Sequence, residues 1–246
     1  MKFLKIIFVC SGIMFLGALG GIAGERILFP YLAGKPLFSN IRFIQDAGRG
    51  TTIINRKEEV VVRENERLSE VAVKTIPLVV GVRSSGGEAV YQGVGFVLTN
   101  DGLIATSNDL LPSSARVEVV RNDIQFDAVV KKRDSASGIA ILKIDASNLP
   151  VVTFRENEIK LGEMVFLVGA ELKKNEFVPY LKPAFVSKKA GDIFETTIDG
   201  LAFGASGSPL FDLDGNVTGL ILVRKGEVTV VSIKNVRELL TLVFND

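Results

Sequence analysis

After residue 77 the chain is cut into short apolar runs by turn-forming clusters. This punctuation limits the possible folds more than any other feature. The runs are Leu78–Val82, Ala89–Leu98, Leu103–Thr106, Arg116–Val120, Phe126–Lys131, Ile139–Ile144, Met164–Val168, Ala184–Lys188, Ile193–Thr197, Val217–Val223 and Val228–Ile233. Between them stand Ser85-Gly86-Gly87, Asn100-Asp101-Gly102, Arg121-Asn122-Asp123, Asp212-Leu213-Asp214-Gly215 and Arg224-Lys225-Gly226. Runs this short are the size of strands. Their spacing of roughly 8–12 residues predicts an all-β barrel or sandwich.

Two helical patterns frame these strands. The first covers about Arg63 to Ile76, with Leu68, Val71, Ala72, Thr75 and Ile76 on one face, and Pro77 ends it. The second covers Lys234 to Phe244, with Val236, Leu239, Leu240 and Val243 at helical spacing. Ahead of the first helix, Ala33 to Val62 has no sustained period and suggests one short strand at Thr51–Asn55. The predicted organisation is a membrane segment at 1–26, a connector at 27–62 and a folded domain at 63–246.

Ile6 to Gly24 carries no charge and follows Lys2 and Lys5. A helix of this length reaches about 28 Å, close to the hydrocarbon thickness of a bilayer. Positive residues ahead of the run favour a cytoplasmic N-terminus, which places the rest in the periplasm or outside the cell. A cleaved signal peptide is one reading, since Gly21-Ile22-Ala23 offers a small-x-small site. An uncleaved single-pass anchor is preferred, because Ile27 to Leu32 extends the apolar character. Cys10 lies within the run, and Ile7-Phe8-Val9 before it lacks the small residues of a lipidation site.

The chain contains no histidine and one cysteine. Its own side chains therefore cannot run a Ser-His-Asp or Cys-His mechanism. A His-rich zinc or iron site is excluded too, and no metal or cofactor is expected. A formal charge of +1 argues against nucleic-acid binding, which needs a clear basic excess.

Four stretches, in order, resemble the HtrA/Deg family of trypsin-like serine proteases. They are Gly93–Thr106 (GVGFVLTNDGLIAT), Arg133–Asp145 (RDSASGIAILKID), Leu161–Gly169 (LGEMVFLVG) and Gly204–Gly219 (GASGSPLFDLDGNVTG). The resemblance covers about residues 63–246. It implies a chymotrypsin-type double β-barrel with a leading and a final helix. The family's usual C-terminal PDZ domain is not expected. Asp109, in Thr106-Ser107-Asn108-Asp109-Leu110-Leu111, stands where the family has its catalytic histidine. Gly138 stands where it has the triad aspartate, and Ser206 matches the nucleophile. Gly204 and Ser206 match the backbone donors of the oxyanion hole, and Ala205 replaces the usual asparagine.

A serine hydroxyl needs a nearby base during attack. A carboxylate with an ordinary pKa near ~4 is too weak for that role at neutral pH. Loss of triad members leaves only about 10³–10⁴-fold acceleration over water. The expectation is a membrane-anchored pseudoprotease that binds polypeptide, or a protease partner, in envelope protein quality control. Strand edges beside the inter-barrel cleft would accept an extended peptide. The resemblance further implies oligomers, commonly trimers, formed with like or unlike chains. One alternative is an active hydrolase using a Ser-Lys dyad at Ser206. Another is a structural envelope protein, in which bulky residues at Gly204 or Gly207 would be silent. Each site residue also has a plainer reading. Ser206 would serve a tight turn, Asp109 would be a solvated or capping carboxylate, and Asp212 and Asp214 would be turn residues rather than a metal pair.

Overall fold

The computed structural model describes residues 11–17, 20–21, 31, 67–86, 89–113, 115–122, 124–173 and 176–245. The chain divides into two units, 1–61 and 62–246. Residues 11–17 are helical. Most of the 6–24 run, the connector apart from residue 31, the suggested strand at 51–55 and residues 63–66 lie outside the described residues. Among the described residues, no helix is long and apolar enough to cross a membrane.

In the second unit, helix α1 (67–75) leads through a single 3-10 turn, Ile76–Leu78, into the first strand. Six strands then close a barrel in the order β1-β2-β3-β6-β5-β4. They are β1 (Val79–Gly86), β2 (Ala89–Val97), β3 (Leu103–Ser107), β4 (Arg116–Arg121), β5 (Ile124–Asp134) and β6 (Ile139–Ile144). A second sheet contains β7 (Thr153–Phe154), β8 (Met164–Lys173), β9 (Glu176–Ala190), β10 (Ile193–Thr196), β11 (Pro209–Asp212), β12 (Asn216–Arg224) and β13 (Glu227–Ser232). Pairing of β11 with both β8 and β12 closes six of these into a second barrel, with β7 lying parallel to β12 outside the ring. Helix α2 (Ile233–Phe244) follows, its first turn capped by the Ser232 hydroxyl, which accepts from the Lys234 amide. The predicted double barrel with a helix at each end is the observed architecture.

Successive side chains on a strand face opposite ways, and in strands such as β3, β6 and β12 both faces are buried, for different reasons. Val80, Val82, Val97, Ile104 and Leu142 fill the first barrel. Val165, Leu167, Leu210, Ile221 and Val230 fill the second. Their neighbours Phe96, Ile141, Phe166, Phe211, Leu220 and Leu222 belong to a third cluster drawn from both barrels. Phe166 and Phe211 stack there with centroids 5.5 Å apart. Leu68 and Val71 of α1, and Val236 and Leu239 of α2, join this shared core. Double-sided burial is why the strands read as continuous apolar runs rather than alternating ones.

Two strands were not predicted. β11 begins on a proline and has only four residues, all buried. β7 is a two-residue bridge. Tertiary partners on either side, rather than intrinsic propensity, make β11 a strand.

Glu158 ties the loop after β7 to the second barrel and to α2. Its carboxylate accepts from Lys189 Nζ at 2.7 Å and Lys234 Nζ at 2.9 Å. The hydrogen bond from Lys189, reinforced by that from Lys234, lowers its pKa from 4.5 to about 2. A depressed carboxylate pKa contributes stability above the unfolded value, and that stability is lost as pH falls from about 4.5 toward about 2. NMR titration is expected to place Glu158 well below 4.5. In Lys189→Ala it should move back toward 4.5. A normal titration in the unaltered protein would refute the double pairing.

Candidate active-site cleft

β3 ends at Ser107, and the chain turns through a 3-10 segment, Asn108–Leu110. The Ser107 hydroxyl caps this turn by accepting from the Asp109 amide at 3.2 Å. The fully buried Leu110 anchors the turn in the first barrel. Asn108 donates its amide to the Gly138 carbonyl at 2.8 Å. The turn after β5 and the turn after β3 are thus joined at Gly138, matched to the triad aspartate, and at the residue just before Asp109, which is matched to the histidine.

Asp109 is neither free in solvent nor a helix cap through its side chain. Its carboxylate accepts from Arg224 Nε at 2.6 Å and from Nη2 at 3.2 Å. Arg224 ends β12 in the second barrel, so this two-pronged pair crosses between the barrels. The hydrogen bond to Asp109 raises the Arg224 pKa above its ordinary value.

Gly138 has φ of +76°, a conformation that favours glycine. A Cβ there would overlap Nη2 of Arg224, and would lie 3.0 Å from Leu222 Cδ1 and 3.3 Å from Arg224 Cζ. The space a side chain at 138 would enter is therefore occupied by the guanidinium.

Ser206 follows the 3-10 turn Phe203–Ala205 and is fully buried. Its hydroxyl accepts from the Val223 amide at 3.0 Å and donates to the Val223 carbonyl at 3.4 Å. Its own amide, one of the matched oxyanion donors, donates to Phe203 O at 2.9 Å. Ser206 and Asp109 therefore converge on consecutive residues of β12, Val223 and Arg224, each bound to that strand.

Gly204 and Gly207 have different surroundings. At Gly204 a Cβ would meet only the Gln92 carbonyl oxygen, at 3.6 Å. Gly207 has φ of +87°, and a Cβ there would overlap the Val94 carbonyl oxygen and come within 2.7 Å of Thr106 Oγ1. The sequence-based expectation treated both as tests of the cleft. The structure corrects this, because bulk at Gly207 strains the fold itself while bulk at Gly204 enters open space.

That space is a cleft of about 600 Å³ beside Gly204, bounded by Gln92 and Gly93 of β2, by Ala170 to Leu172 of β8, and by Gly200 to Ala202. Tyr180, Leu181 and Lys182 of β9 complete it. The ring of Phe203, 40% exposed, meets Tyr91 edge-on at 6.3 Å.

A polar network lies elsewhere, around Asp212. Its carboxylate accepts from the amides of Asp214 and Asn216 at 3.0 and 2.9 Å and pairs with Arg155 at 3.4 Å. Asp214 pairs with Arg67. Among the described residues, no group of three or more Cys, Asp or Glu side chains could hold a metal ion.

Residues 93–220 match the family model of the trypsin-like peptidase domain. This chain belongs to that family. The trypsin-like domain is similar to serine protease HTRA1A of Danio rerio, with 31% identity over 73% of this chain and 41% of that protein. It is similar to human serine protease HTRA4, with 32% identity over 55% of this chain and 31% of that protein. A probable periplasmic serine endoprotease, DegP-like, of Halomonas elongata is 29% identical over 61% of this chain and 34% of its own length. The chain thus spans less than half the length of these relatives. Among solved structures, the active form of the Rv3671c protease from M. tuberculosis superposes with a TM-score of 0.61 at 26% identity, over 70% of this chain and 82% of that one. The serine endoprotease from Yersinia pestis superposes with a TM-score of 0.64 at 19% identity, over 72% of this chain and 66% of that one, which speaks for the fold.

Arg224 is not recognisable as a site residue of the trypsin-like domain from sequence alone. It was visible only as part of a turn signal. Its partner lies 115 residues earlier, and no local spacing links the two. β12 and β13 are joined by a two-residue turn, Lys225-Gly226, with φ of 52° and 85°. Two successive positive φ values give the tight hairpin turn that matches strand twist. This turn fixes Arg224 at the strand end from which it reaches Asp109.

Proposed function

We propose that this trypsin-like domain is a pseudoprotease that binds extended polypeptide in the cleft beside Gly204. The observation that carries the reading is the hydrogen bonding of Ser206 and Asp109. The serine hydroxyl is buried on the Val223 backbone, and the carboxylate in the histidine position is engaged by Arg224. Both carboxylate oxygens are engaged by the guanidinium, and the serine hydroxyl is turned to the Val223 backbone, so neither group is presented to the other. Supporting the binding half, the cleft runs between β2 and β8. Their residues there pair with one neighbouring strand each, at β1 and β9, and such edges accept extended chains. In the same proposal, residues 6–24 anchor the chain in the cell membrane with the domain outside the cytoplasm. Its work there is protein quality control, alone or with an active relative.

The test pairs a fluorophosphonate probe with fluorescent unfolded casein. The expected result is no covalent labelling and no cleavage, with casein captured by the unaltered protein. Gly204→Trp should reduce capture at least about tenfold while leaving the melting temperature nearly unchanged. Labelling that disappears in Ser206→Ala would show an active hydrolase. Undiminished capture by Gly204→Trp would remove the cleft from the proposal.

A further inference from the structure

Arg224 has a place in the site that the matched family motifs do not account for. Three observations meet at it. Its guanidinium holds Asp109 in a two-pronged pair at 2.6 and 3.2 Å. It fills the volume that a side chain at position 138 would need. Its neighbour Val223 binds the Ser206 hydroxyl through both backbone groups.

We infer that Arg224, Asp109 and Gly138 form a clasp between the two barrels. An arginine from the second barrel takes the space vacated by the triad acid, and its charge is matched by the carboxylate at the histidine position. The polarity of the pair is reversed with respect to a triad. In a triad the acid at 138 would orient a base at 109. Here a cation beside 138 neutralises an acid at 109. The two replacements are coupled through one residue. The carboxylate at 109 is matched by the guanidinium, and the guanidinium lies in the volume that a side chain at 138 would enter.

The geometry suits a clasp better than a chance surface contact. Isolated exposed pairs contribute little, and two-pronged arginine–carboxylate pairs are the exception because both partners are oriented. The Arg224 side chain is 51% exposed and Asp109 28%, so the pair is partly screened. Asp109 is held by the Ser107 cap, and Arg224 by the hairpin turn that follows it. Little additional conformational freedom is lost in forming the pair. Residues 222 and 224 both approach Gly138, so the whole end of β12 closes on the turn of the opposite barrel.

Two double-mutant cycles and one spectrum test this on the folded domain. The first cycle combines Asp109→Ala with Arg224→Ala. Each single change should lower the folding equilibrium constant about three- to tenfold, and the double variant should lose little more than either single. The second combines Gly138→Ala with Arg224→Ala. The positive φ at 138 penalises alanine equally in both backgrounds and cancels. The remainder reads only whether the guanidinium fills that space. Gly138→Ala should be at least about threefold less costly when Arg224 is absent. In the spectrum, the Arg224 Nε–H resonance should be protected from solvent exchange and should lose that protection in Asp109→Asn. This readout does not depend on unfolding. Additive effects in both cycles, or an unprotected Nε–H in the unaltered protein, would show that there is no clasp.

Discussion

Gly207→Ala is expected to prevent the domain from folding, with soluble yield lost and no cooperative melting transition in what remains. The methyl group would collide with the Val94 carbonyl oxygen and approach Thr106 Oγ1 and the Ser107 amide at 2.7 and 3.0 Å. The first and last of these are backbone atoms, which cannot swing aside as the end of a side chain can. The φ of +87° adds a penalty of roughly 1–2 kcal/mol for any L-residue. Relief would have to come from β2, whose Val94 amide is bonded to Ser206 O and whose carbonyl accepts from Thr106. Combined strain of this kind reaches beyond about 4 kcal/mol, a large share of a typical domain's stability. Gly204→Ala is the control. Only three residues away, it should change stability by about 0.5 kcal/mol or less, as expected for open space. A Gly207→Ala protein that melts within a few degrees of the unaltered one would mean that the 204–208 loop has a different backbone path.

Ser206→Ala should destabilise the domain by about 1–3 kcal/mol, measured by urea unfolding. The hydroxyl is the partner of the Val223 amide, at a fully buried site just beyond the pairing of β11 with β12. Removing it leaves a buried amide without its acceptor, and the cost is the desolvation of that group. The sign is informative. Catalytic residues are often held at some expense to stability, so their removal is commonly neutral or favourable. A serine that has become a peg for β12 behaves the opposite way. Ser206→Ala at or above the stability of the unaltered protein would contradict the structural role and reopen a catalytic one.

Much of the fold was legible because most barrel strands are short, apolar and bounded by glycine, asparagine or aspartate. The runs Ile139–Ile144 and Val217–Val223 lie wholly within β6 and β12. β9 was legible only in part, since exposed residues between Glu176 and Pro183 break its apolar pattern. β11 was hidden behind its own proline. Asp109, Gly138 and Ser206 stand in local turns, and the motifs around them are visible in the sequence. The contacts made there are not. The direction of the Ser206 hydroxyl and the capture of Asp109 both depend on β12, whose contributing residues follow Ser206 by 17 and Asp109 by 115 positions. Motif spacing carries the address of a residue. It carries nothing about a partner that arrives from another barrel.

The cluster that contains Phe96, Ile141, Phe166, Phe211 and Leu220 has one further consequence. Each barrel supplies part of that cluster, and residues of both helices join it. A barrel taken alone would expose its part as a continuous greasy surface. The two barrels are therefore halves of one cooperative object rather than beads on a string. Chain order obscures this: the first barrel is complete by residue 144, yet it remains half-dressed until the second barrel and α2 have been made. Such a domain has reason to wait for its last helix before it commits to a fold.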